Sequence, residues 1–204
     1  VSTTSPQFAA ARQYINVATM FSGVKPEFKK LLLSHKPELQ YVLEKLDPNA
    51  ICPRVENIMH FARFADLSEI RVCIIGQDPY NDLNHAHGLA FSTLDTKLPG
   101  SLKNIFACLV HHSHISRDAP LPKGDLSAWA RSGVLLLNTA LTTAPGCSDA
   151  HKDIWSGYMN KIISSIGHLD QPIVYFLWGG HAQKYAPALL NCGKSLILYE
   201  THPS

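Results

Sequence analysis

The amino-acid sequence predicts an α/β fold of three layers, in which a central four-stranded, parallel, twisted sheet carries helices on both faces. Four short apolar runs lack the alternation of a half-exposed strand, and such runs are typical of a parallel sheet buried on both faces. Helical stretches separate the runs, as right-handed βαβ units require. The length of 204 residues suits a single core. We therefore expect one domain, with a helical part over residues 1–50 and an α/β core over residues 51–204.

The predicted elements follow one another without a linker or repeat that would divide the chain. Three helices come first, at residues 6–20, 26–46 and 54–64. Pro26 suits the first turn of the second helix, and the sequence Asp47-Pro48-Asn49 ends it. Strands are then predicted at residues 72–75, 134–137, 173–178 and 196–199. The helices between and beside them are predicted at residues 101–112, 125–132, 154–166 and 182–190.

Composition and charge exclude several classes of protein. The net charge of +2 and the pI of about 8.3 permit an anionic partner, but the chain lacks the Lys and Arg runs of a polybasic binder. The cysteines are odd in number and form no C-x-x-C pair, so we expect reduced thiols in an intracellular compartment rather than disulfides or a zinc site. No apolar run reaches the ~18 residues that span a bilayer, and no signal peptide is visible, so we expect no membrane association. The five cysteines are Cys52, Cys73, Cys108, Cys147 and Cys192.

Polar residues follow each of the four predicted strands. They are Gly76-Gln77-Asp78-Pro79-Tyr80, then Asn138, then Gly179-Gly180-His181, and finally Thr201-His202-Pro203-Ser204. In an open parallel sheet, ligands bind beyond the carboxyl ends of the strands. The four segments are therefore expected to meet at one cleft, which locates a site without naming its reaction.

Two of these residues are candidates for catalysis. Asp78, directly after a buried strand, could orient a water and accept its proton, and its charge could stabilise a cationic sugar. The alternative is an aspartate that caps a turn, which is common before proline. His202 could donate to an oxygen that gains negative charge as a bond breaks. Its alternative is a surface histidine near the end of the chain.

Three further side chains are candidates for binding a base. Asn138 offers a donor and an acceptor side by side, which matches the O4 and N3–H of uracil and mismatches cytosine. Phe91 lies in a short apolar segment and could stack on a base, and Tyr80 could form a pocket wall. The alternatives are a strand-end turn residue for Asn138 and ordinary core aromatics for Phe91 and Tyr80.

Two loops could seat phosphate groups. The segment Leu98-Pro99-Gly100-Ser101 precedes a helix with Ser101 as the candidate N-cap, and a helix N-terminus attracts anions. Gly179 and Gly180 would let the backbone approach a ligand closely. The alternatives are an ordinary cap and an ordinary turn. Neither a metal nor a cofactor is expected, because metal-ligand spacing is lacking among His85, His87, His111, His112 and His114.

The order and spacing of five motifs carry a resemblance to a known family. The motifs are Gly76-Gln77-Asp78-Pro79-Tyr80, Ala86-His87-Gly88-Leu89-Ala90-Phe91-Ser92, Gly133-Val134-Leu135-Leu136-Leu137-Asn138, Leu177-Trp178-Gly179 and His202-Pro203-Ser204. This succession resembles family-1 uracil-DNA glycosylases from about residue 51 to the end of the chain. The resemblance implies the fold predicted above, with no metal or cofactor. It also implies base excision repair, in which uracil is flipped into a pocket and released from DNA to leave an abasic site.

The resemblance implies a role for each matching residue. Asp78 would position the attacking water, and His202 would stabilise the departing uracil anion. The uracil itself would be contacted by the backbone of Gln77, the ring of Phe91 and the amide of Asn138. The residues expected at the DNA phosphates are Pro99, Gly100, Ser101, Gly179, Gly180 and Ser204.

Tyr80 would exclude the 5-methyl group of thymine, but four features after it depart from the family pattern. One is the proline-rich loop of the family, which is reduced here to Leu98-Pro99-Gly100-Ser101. Asn81-Asp82-Leu83 stands where the family has His-Gly-Pro, and Gly180 stands where it has Ser. The family also continues after His-Pro-Ser with a leucine that wedges into the duplex, so we expect the chain to be truncated after Ser204. These departures keep open a catalytically weak DNA-binding or replication-accessory protein on this fold, or a relative that acts on other damaged bases.

The expected partners follow from the same resemblance. They are DNA containing uracil, single- or double-stranded, together with a proteinaceous inhibitor that mimics uracil in DNA or a replication protein. We expect a monomer. The expected location is the nucleus for a eukaryotic protein or a viral protein in a nuclear host, and the cytoplasm otherwise.

Overall fold

A parallel sheet forms the centre of the computed structural model, which describes residues 13–116, 118, 122–189 and 194–204. In this part of the chain the sheet has four strands, β1 (Val72–Gly76), β2 (Val134–Asn138), β3 (Val174–Trp178) and β4 (Leu196–Glu200), in the order β2-β1-β3-β4. Val72 lies opposite Val134 on one side and Val174 on the other. The α/β prediction is confirmed, and each strand lies within one residue of its predicted ends.

Helices precede the sheet and connect its strands. The described residues contain α1 (Val17–Met20), α2 (Pro26–Leu33), α3 (Lys36–Lys45), α4 (Gly100–His111), α5 (Ser127–Arg131), α6 (Lys152–Gly167), α7 (Gly179–Gln183) and α8 (Ala186–Leu189). The helices predicted at residues 101–112, 125–132 and 154–166 are confirmed as α4, α5 and α6, with small shifts at their ends.

Two of the predicted helices are wrong as single elements, and proline explains both breaks. Residues 26–46 form α2 and α3, and the segment from residue 182 contains the end of α7 and then α8. A proline lacks the N–H of a helix interior, and its ring clashes with the carbonyl four residues earlier. Pro37 lies four residues after Leu33, the last residue of α2. Pro187 likewise lies four residues after Gln183, the last residue of α7.

The N-terminal helix predicted over residues 6–20 is observed only at its end, as α1. Asn16 begins this helix, because its side chain accepts a hydrogen bond from the backbone N–H of Thr19 at 3.1 Å. Residues 13–16 are not helical. Residues 6–12, Leu190 at the predicted end of a later helix, and Cys192 lie outside the described residues.

The helix predicted over residues 54–64 is wrong, since that segment forms two short 3-10 turns, Val55–Asn57 and His60–Ala62. Its contacts with residues 87 and 88 explain the difference. A Cβ on Gly88 would lie 1.9 Å from the carbonyl oxygen of Asn57, and Nδ1 of His60 donates to the carbonyl of His87 at 2.5 Å. These tertiary contacts, rather than local propensity, set the path of the segment.

The helices cover both faces of the sheet, which confirms the three layers. The chain moves in opposite directions along the sheet after β1 and after β2, so right-handed crossovers place α4 and α5 on one face and α6 to α8 on the other. Trp155 and Tyr158 of α6 are fully buried. The Tyr158 hydroxyl donates to the carbonyl of Leu32 at 2.9 Å, which joins α2 to this layer. Within the described residues, no helix has the length and apolar character needed to cross a membrane.

Strand β4 departs from the prediction that all strands are buried on both faces. Leu196, Leu198 and Tyr199 are 55%, 36% and 52% exposed, whereas most residues of β1 and β2 are buried. The reason is position, because β4 is last in the strand order and pairs with β3 alone. An apolar run therefore predicted the strand correctly and its burial wrongly.

Candidate active site

A cavity of about 250 Å³ opens beyond the carboxyl ends of the strands. The connection after β1 leads to one side of the sheet and the connection after β3 to the other, and ligands bind such sheets at this switch point. The structure brings the predicted catalytic and base-binding residues together, since the lining includes Gln77, Asp78, Tyr80, Phe91, Asn138 and His202.

Asp78 is half-buried and held from one side. Its Oδ2 accepts a hydrogen bond from the backbone N–H of Asp149 at 2.7 Å. Burial raises the pKa of the Asp78 carboxyl above its usual value, and the charge of Asp149 raises it further, while the hydrogen bond from Asp149 opposes these effects. An oriented carboxylate with a raised pKa is suited to accept a proton from water.

Gln77 presents its backbone rather than its side chain to the cavity. Its side-chain amide donates to both carboxylate oxygens of Asp149 at 2.6 Å. Its carbonyl accepts from the backbone N–H of Ala140 and from the hydroxyl of Thr139, each at 2.9 Å. The backbone N–H is therefore the group of Gln77 that a ligand would use.

Asn138 ends β2 with its side chain 7% exposed, and this placement depends on Gly76. A Cβ on Gly76 would lie 2.2 Å from Oδ1 of Asn138 and 2.9 Å from Cβ of Ala90. Within the described residues the Asn138 amide makes no hydrogen bond to the protein. Because Asn138 lines the cavity, its amide is available to a polar ligand there.

Tyr80 and Phe91 form an aromatic part of the wall. The Tyr80 hydroxyl donates to the carbonyl of Phe91 at 3.1 Å, and burial raises the pKa of Tyr80 to about 12. Phe91 has a φ of 64°, a left-handed backbone that is unusual for an aromatic residue and that often marks a functional site. Its ring lies edge-on to Trp178, with the centroids 5.4 Å apart.

His202 is exposed at the mouth of the cavity, with its ring centroid 5.9 Å from that of Phe91. The backbone N–H of Ser204 donates to its Nδ1 at 3.2 Å, and the Ser204 hydroxyl lies 3.0 Å from the same atom. Because a backbone N–H can only donate, Nδ1 is an acceptor and the proton of the neutral ring is on Nε2. Asn104 of α4 holds the segment by donating to the carbonyl of Pro203 at 2.7 Å.

The loop before α4 differs from its prediction in one respect. The helix begins at Gly100 after Pro99, so Ser101 lies in the first turn and is not the N-cap. Pro99, with φ fixed near −61° and an extended ψ, is the N-cap, two residues before the predicted Ser101. Ser101 lines the cavity, whereas Gly100 is exposed with open space around it.

The two glycines after β3 are not equivalent. Gly179 has a φ of 78°, and a Cβ there would lie 3.0 Å from Cβ of His202. Gly180 is exposed, and a Cβ would meet nothing within 4 Å. Gly179 is therefore required by the backbone, whereas the space around Gly180 would accommodate a side chain.

The histidines of the first loops have partners other than a metal. His87 is buried, its Nε2 lies 2.6 Å from the Ser92 hydroxyl, and burial lowers its pKa to about 4. His85 lies 2.5 Å from the carboxylate of Asp95. In the described part of the chain, no three His, Cys, Asp or Glu side chains are grouped so as to hold a metal ion.

Asp149 is the main functional candidate that the sequence did not predict. It lies in an irregular loop after β2, and its contacts with Asp78 and Gln77 depend on how two distant loops pack. A lone acidic residue in a loop with no periodicity carries no signal that could have identified it.

Comparisons with known proteins agree with this geometry. A model of the Uracil DNA glycosylase superfamily matches residues 62–204. A uracil-DNA glycosylase of Lachnoclostridium phytofermentans is 41% identical over 183 residues, covering 88% of this chain and 76% of that protein. A uracil-DNA glycosylase of Oceanobacillus iheyensis is 38% identical over 186 residues, covering 89% and 77%.

Solved structures give the same relationship. The crystal structure of mimivirus uracil-DNA glycosylase has a TM-score of 0.81 and 27% identity, covering 88% of this chain and 69% of that one. A variant of mimivirus UNG in complex with UGI has a TM-score of 0.83 and 27% identity, covering 93% and 73%. The family model, the relatives and the solved structures all point to the same family. The chain therefore belongs to the uracil-DNA glycosylase superfamily, and it is a glycosidase of DNA repair that excises uracil.

Proposed function

We propose that this chain hydrolyses the N-glycosidic bond between uracil and deoxyribose by using Asp78 and His202 on a base flipped out of the DNA. The observation that supports the proposal most directly is the meeting of Asp78, Asn138 and His202 at one cavity of about 250 Å³. Pockets for drug-sized ligands measure about 300–1,000 Å³, so this cavity suits a single base and not a base pair. The target base therefore has to leave the stack before it reacts.

Recognition of uracil is assigned to Asn138, Phe91 and Tyr80. The amide of Asn138, which has no protein partner among the described residues, would accept from N3–H of uracil and donate to O4. Cytosine presents the opposite pattern and would leave buried groups unpaired, which is costly. Phe91 would stack on the base, and the half-buried Tyr80 would occupy the space of a 5-methyl group.

Two side chains, Asp78 and His202, would act in cleavage of the glycosidic bond. As the bond from C1′ to N1 breaks, the electron pair leaves with uracil and the sugar becomes cationic. The Asp78 carboxylate would stabilise that cation and take the proton of the water that adds to C1′. With Oδ2 held by Asp149, Oδ1 is the oxygen for the water. Nε2–H of His202 would donate to O2 of the uracil anion, a role supported by the hydrogen bond that Nδ1 accepts from Ser204.

The DNA backbone would be held around the mouth of the cavity. Ser101 lines the cavity, and Gly179 lies beside His202. These positions support phosphate contacts through hydroxyl and backbone N–H groups, which orient the duplex without reading its sequence. The other residues proposed to contact phosphate are Pro99, Gly100, Gly180 and Ser204.

Release of free uracil from a uracil-containing oligonucleotide tests the proposal, with matched thymine and cytosine oligonucleotides as substrate controls. We expect release from the uracil substrate alone, and loss of release in Asp78→Asn with binding of abasic DNA retained. Absence of release by the unsubstituted chain would contradict the proposed function. Full release by Asp78→Asn would contradict the role of Asp78.

We also infer that a proteinaceous inhibitor that mimics uracil-DNA binds this cleft. The support is the structure of a mimivirus UNG variant in complex with UGI, which matches 93% of this chain and is covered over 73% of its own length. Added UGI should stop uracil release at a stoichiometric ratio, whereas unchanged release would contradict the inference. A replication protein as partner stays a prediction.

We further infer that residues 1–204 act as one monomeric domain in a reducing compartment, the nucleus or the cytoplasm according to the host. One hydrophobic cluster that extends from Ile15 to Leu189 supports the single domain. The free and exposed thiols of Cys108 and Cys147 support the compartment. A single unfolding transition and a monomeric mass in solution are the expected results.

A further inference from the structure

Asp149 joins the loop after β1 to the loop after β2. Its backbone N–H donates to Oδ2 of Asp78 at 2.7 Å, and its carboxylate accepts from the side-chain amide of Gln77 at 2.6 Å to each oxygen. One residue thus contacts two consecutive members of the motif that carries the reaction. Its backbone acts on Asp78 and its side chain acts on Gln77.

The same two loops are joined at a second point. The backbone N–H of Gly146 donates to the carbonyl of Asn81 at 2.8 Å, and the Asn81 amide donates to the hydroxyl of Ser148 at 3.3 Å. Asn81 is the first residue at which the sequence departs from the family motif. It here connects the catalytic loop to the segment that ends at Asp149.

The backbone of Asp149 has a conformation that favours glycine. Its φ is 61°, in the left-handed region, which Asp tolerates better than most residues but which still carries strain. Strained backbone persists where the surrounding contacts enforce it. Here the contacts are the hydrogen bond that the N–H of Asp149 donates to Asp78 and the two that its carboxylate accepts from Gln77.

We propose that Asp149 is a positioning residue for uracil excision, whose N–H orients the Asp78 carboxylate and whose own carboxylate, anchored by Gln77, places a second negative charge beside it. The proposal rests on the proposed role of Asp78. The backbone of Asp149 then sets the geometry of the Asp78 carboxylate, and its side chain contributes negative charge to the site.

The charge of Asp149 should change the pH dependence of uracil release. Burial is the first cause that raises the pKa of Asp78, and repulsion by Asp149 adds to it. Asp78 acts as a carboxylate, so activity falls as the pH drops through its pKa, and removing the Asp149 charge should move this acidic limb to lower pH. Asp149 is exposed, so salt should weaken its effect.

Other titratable groups near the pair are His181 of α7 and Lys152 of α6. Burial lowers the pKa of His181, Lys152 lowers it further, and Asp149 raises it. Removal of the Asp149 charge therefore makes His181 more firmly neutral. It adds no new limb to the pH profile on the acidic side.

Three substitutions separate the effects. Asp149→Asn keeps the shape and removes the charge; Asp149→Gly keeps the left-handed backbone and removes the side chain; Asp149→Ala removes the side chain and strains the backbone. The control is Asp170→Asn, which removes an 88% exposed charge at the opposite end of the sheet. The measurement is kcat/KM for uracil release across pH at low and high salt, with thermal unfolding of each variant.

For Asp149→Asn and Asp149→Gly we expect the acidic limb to move to lower pH, less so at high salt, with Asp170→Asn unchanged. For Asp149→Ala we expect a lower plateau as well, by up to about 10²-fold, as misplacement of a catalytic group can cause. Lower plateaus in all three variants with an unmoved limb would overturn the proposal. Full release by Asp78→Asn would instead contradict the proposed role of Asp78, and absence of release by the unsubstituted chain would contradict the proposed function, so these failures are distinguishable from failure of the Asp149 proposal.

Discussion

The two catalytic candidates line one cavity but lie in contrasting surroundings. Asp78 follows the central strand β1, is half-buried and is held by the backbone of another loop. His202 follows the edge strand β4, is exposed, and is held by Ser204 of its own segment. Burial is what shifts the pKa of Asp78 upward. The group proposed to meet water is thus held in place by a neighbouring loop, whereas the group proposed to meet the base is exposed at the entrance.

The largest expected effect is at the buried side. Asp78→Asn keeps the size of the side chain but removes the proton acceptor and the charge, so kcat for uracil release should fall by about 10²–10⁴-fold, the range for a general base. Because Asp78 acts as a carboxylate and its pKa is raised, wild-type activity should fall on the acidic side at a higher pH than an ordinary aspartate would give. Single-turnover kinetics across pH measure both, and a remaining acidic limb in Asp78→Asn would assign that limb to another group.

The open side should respond less strongly. His202→Leu removes one donor to the uracil anion, and loss of one such donor costs about 10²–10³ in kcat. Because His202 is exposed, the fold should tolerate the change, and the thermal midpoint should stay close to wild type. A larger loss than in Asp78→Asn under the same single-turnover conditions would reverse the comparison.

A substitution at Gly76 tests the buried part of the cavity without changing a catalytic side chain. Gly76→Ala would place Cβ 2.2 Å from Oδ1 of Asn138, so the amide has to move. We expect uracil release to fall by about 10-fold to 10²-fold, as displacement of a positioned group by ~1 Å can cause. Gly157→Ala in α6 is the matched control, because its Cβ has open space and the residue lies outside the proposed site. Equal losses in the two variants would show that the effect comes from backbone flexibility.

The smallest effect is expected where α4 holds the open side. Asn104→Ala removes the hydrogen bond to the carbonyl of Pro203, a net contribution of about 1 kcal/mol. Part of that free energy positions His202, so a few-fold decrease in kcat with little change in KM is expected. Asn104→Ala combined with His202→Leu should add nothing to His202→Leu alone, and an additive loss would contradict the coupling.

The sequence could predict the parts of the molecule that follow from local patterns of apolar, polar and proline residues. Four apolar runs bounded by polar residues located the strands, and the residues after them reached one cavity because parallel strands share their carboxyl edge. The break before Pro37 was also present in the sequence, since the rule of a clash four residues earlier applies without a structure.

Other features depend on contacts that no local pattern contains. The segment 54–64 is shaped by Gly88 and by the carbonyl of His87, and the exposure of β4 follows from its place at the edge. Asp149 reaches Asp78 only because the loops after two neighbouring strands pack together. Such arrangements can be identified only when the three-dimensional positions of both contacting segments are known.

Gly76 carries no functional group, yet the proposed recognition of uracil by Asn138 depends on it. Oδ1 of Asn138 lies in the space that a Cβ on residue 76 would fill. The proposed recognition of uracil therefore requires the absence of a side chain at residue 76 as well as the presence of the amide at residue 138. A survey that ranks residues by their chemistry, or a library that varies only side chains touching the base, would pass over Gly76. Redesign of this enzyme toward another nucleobase should therefore vary residues 76 and 138 together, since either position alone constrains what the other can become.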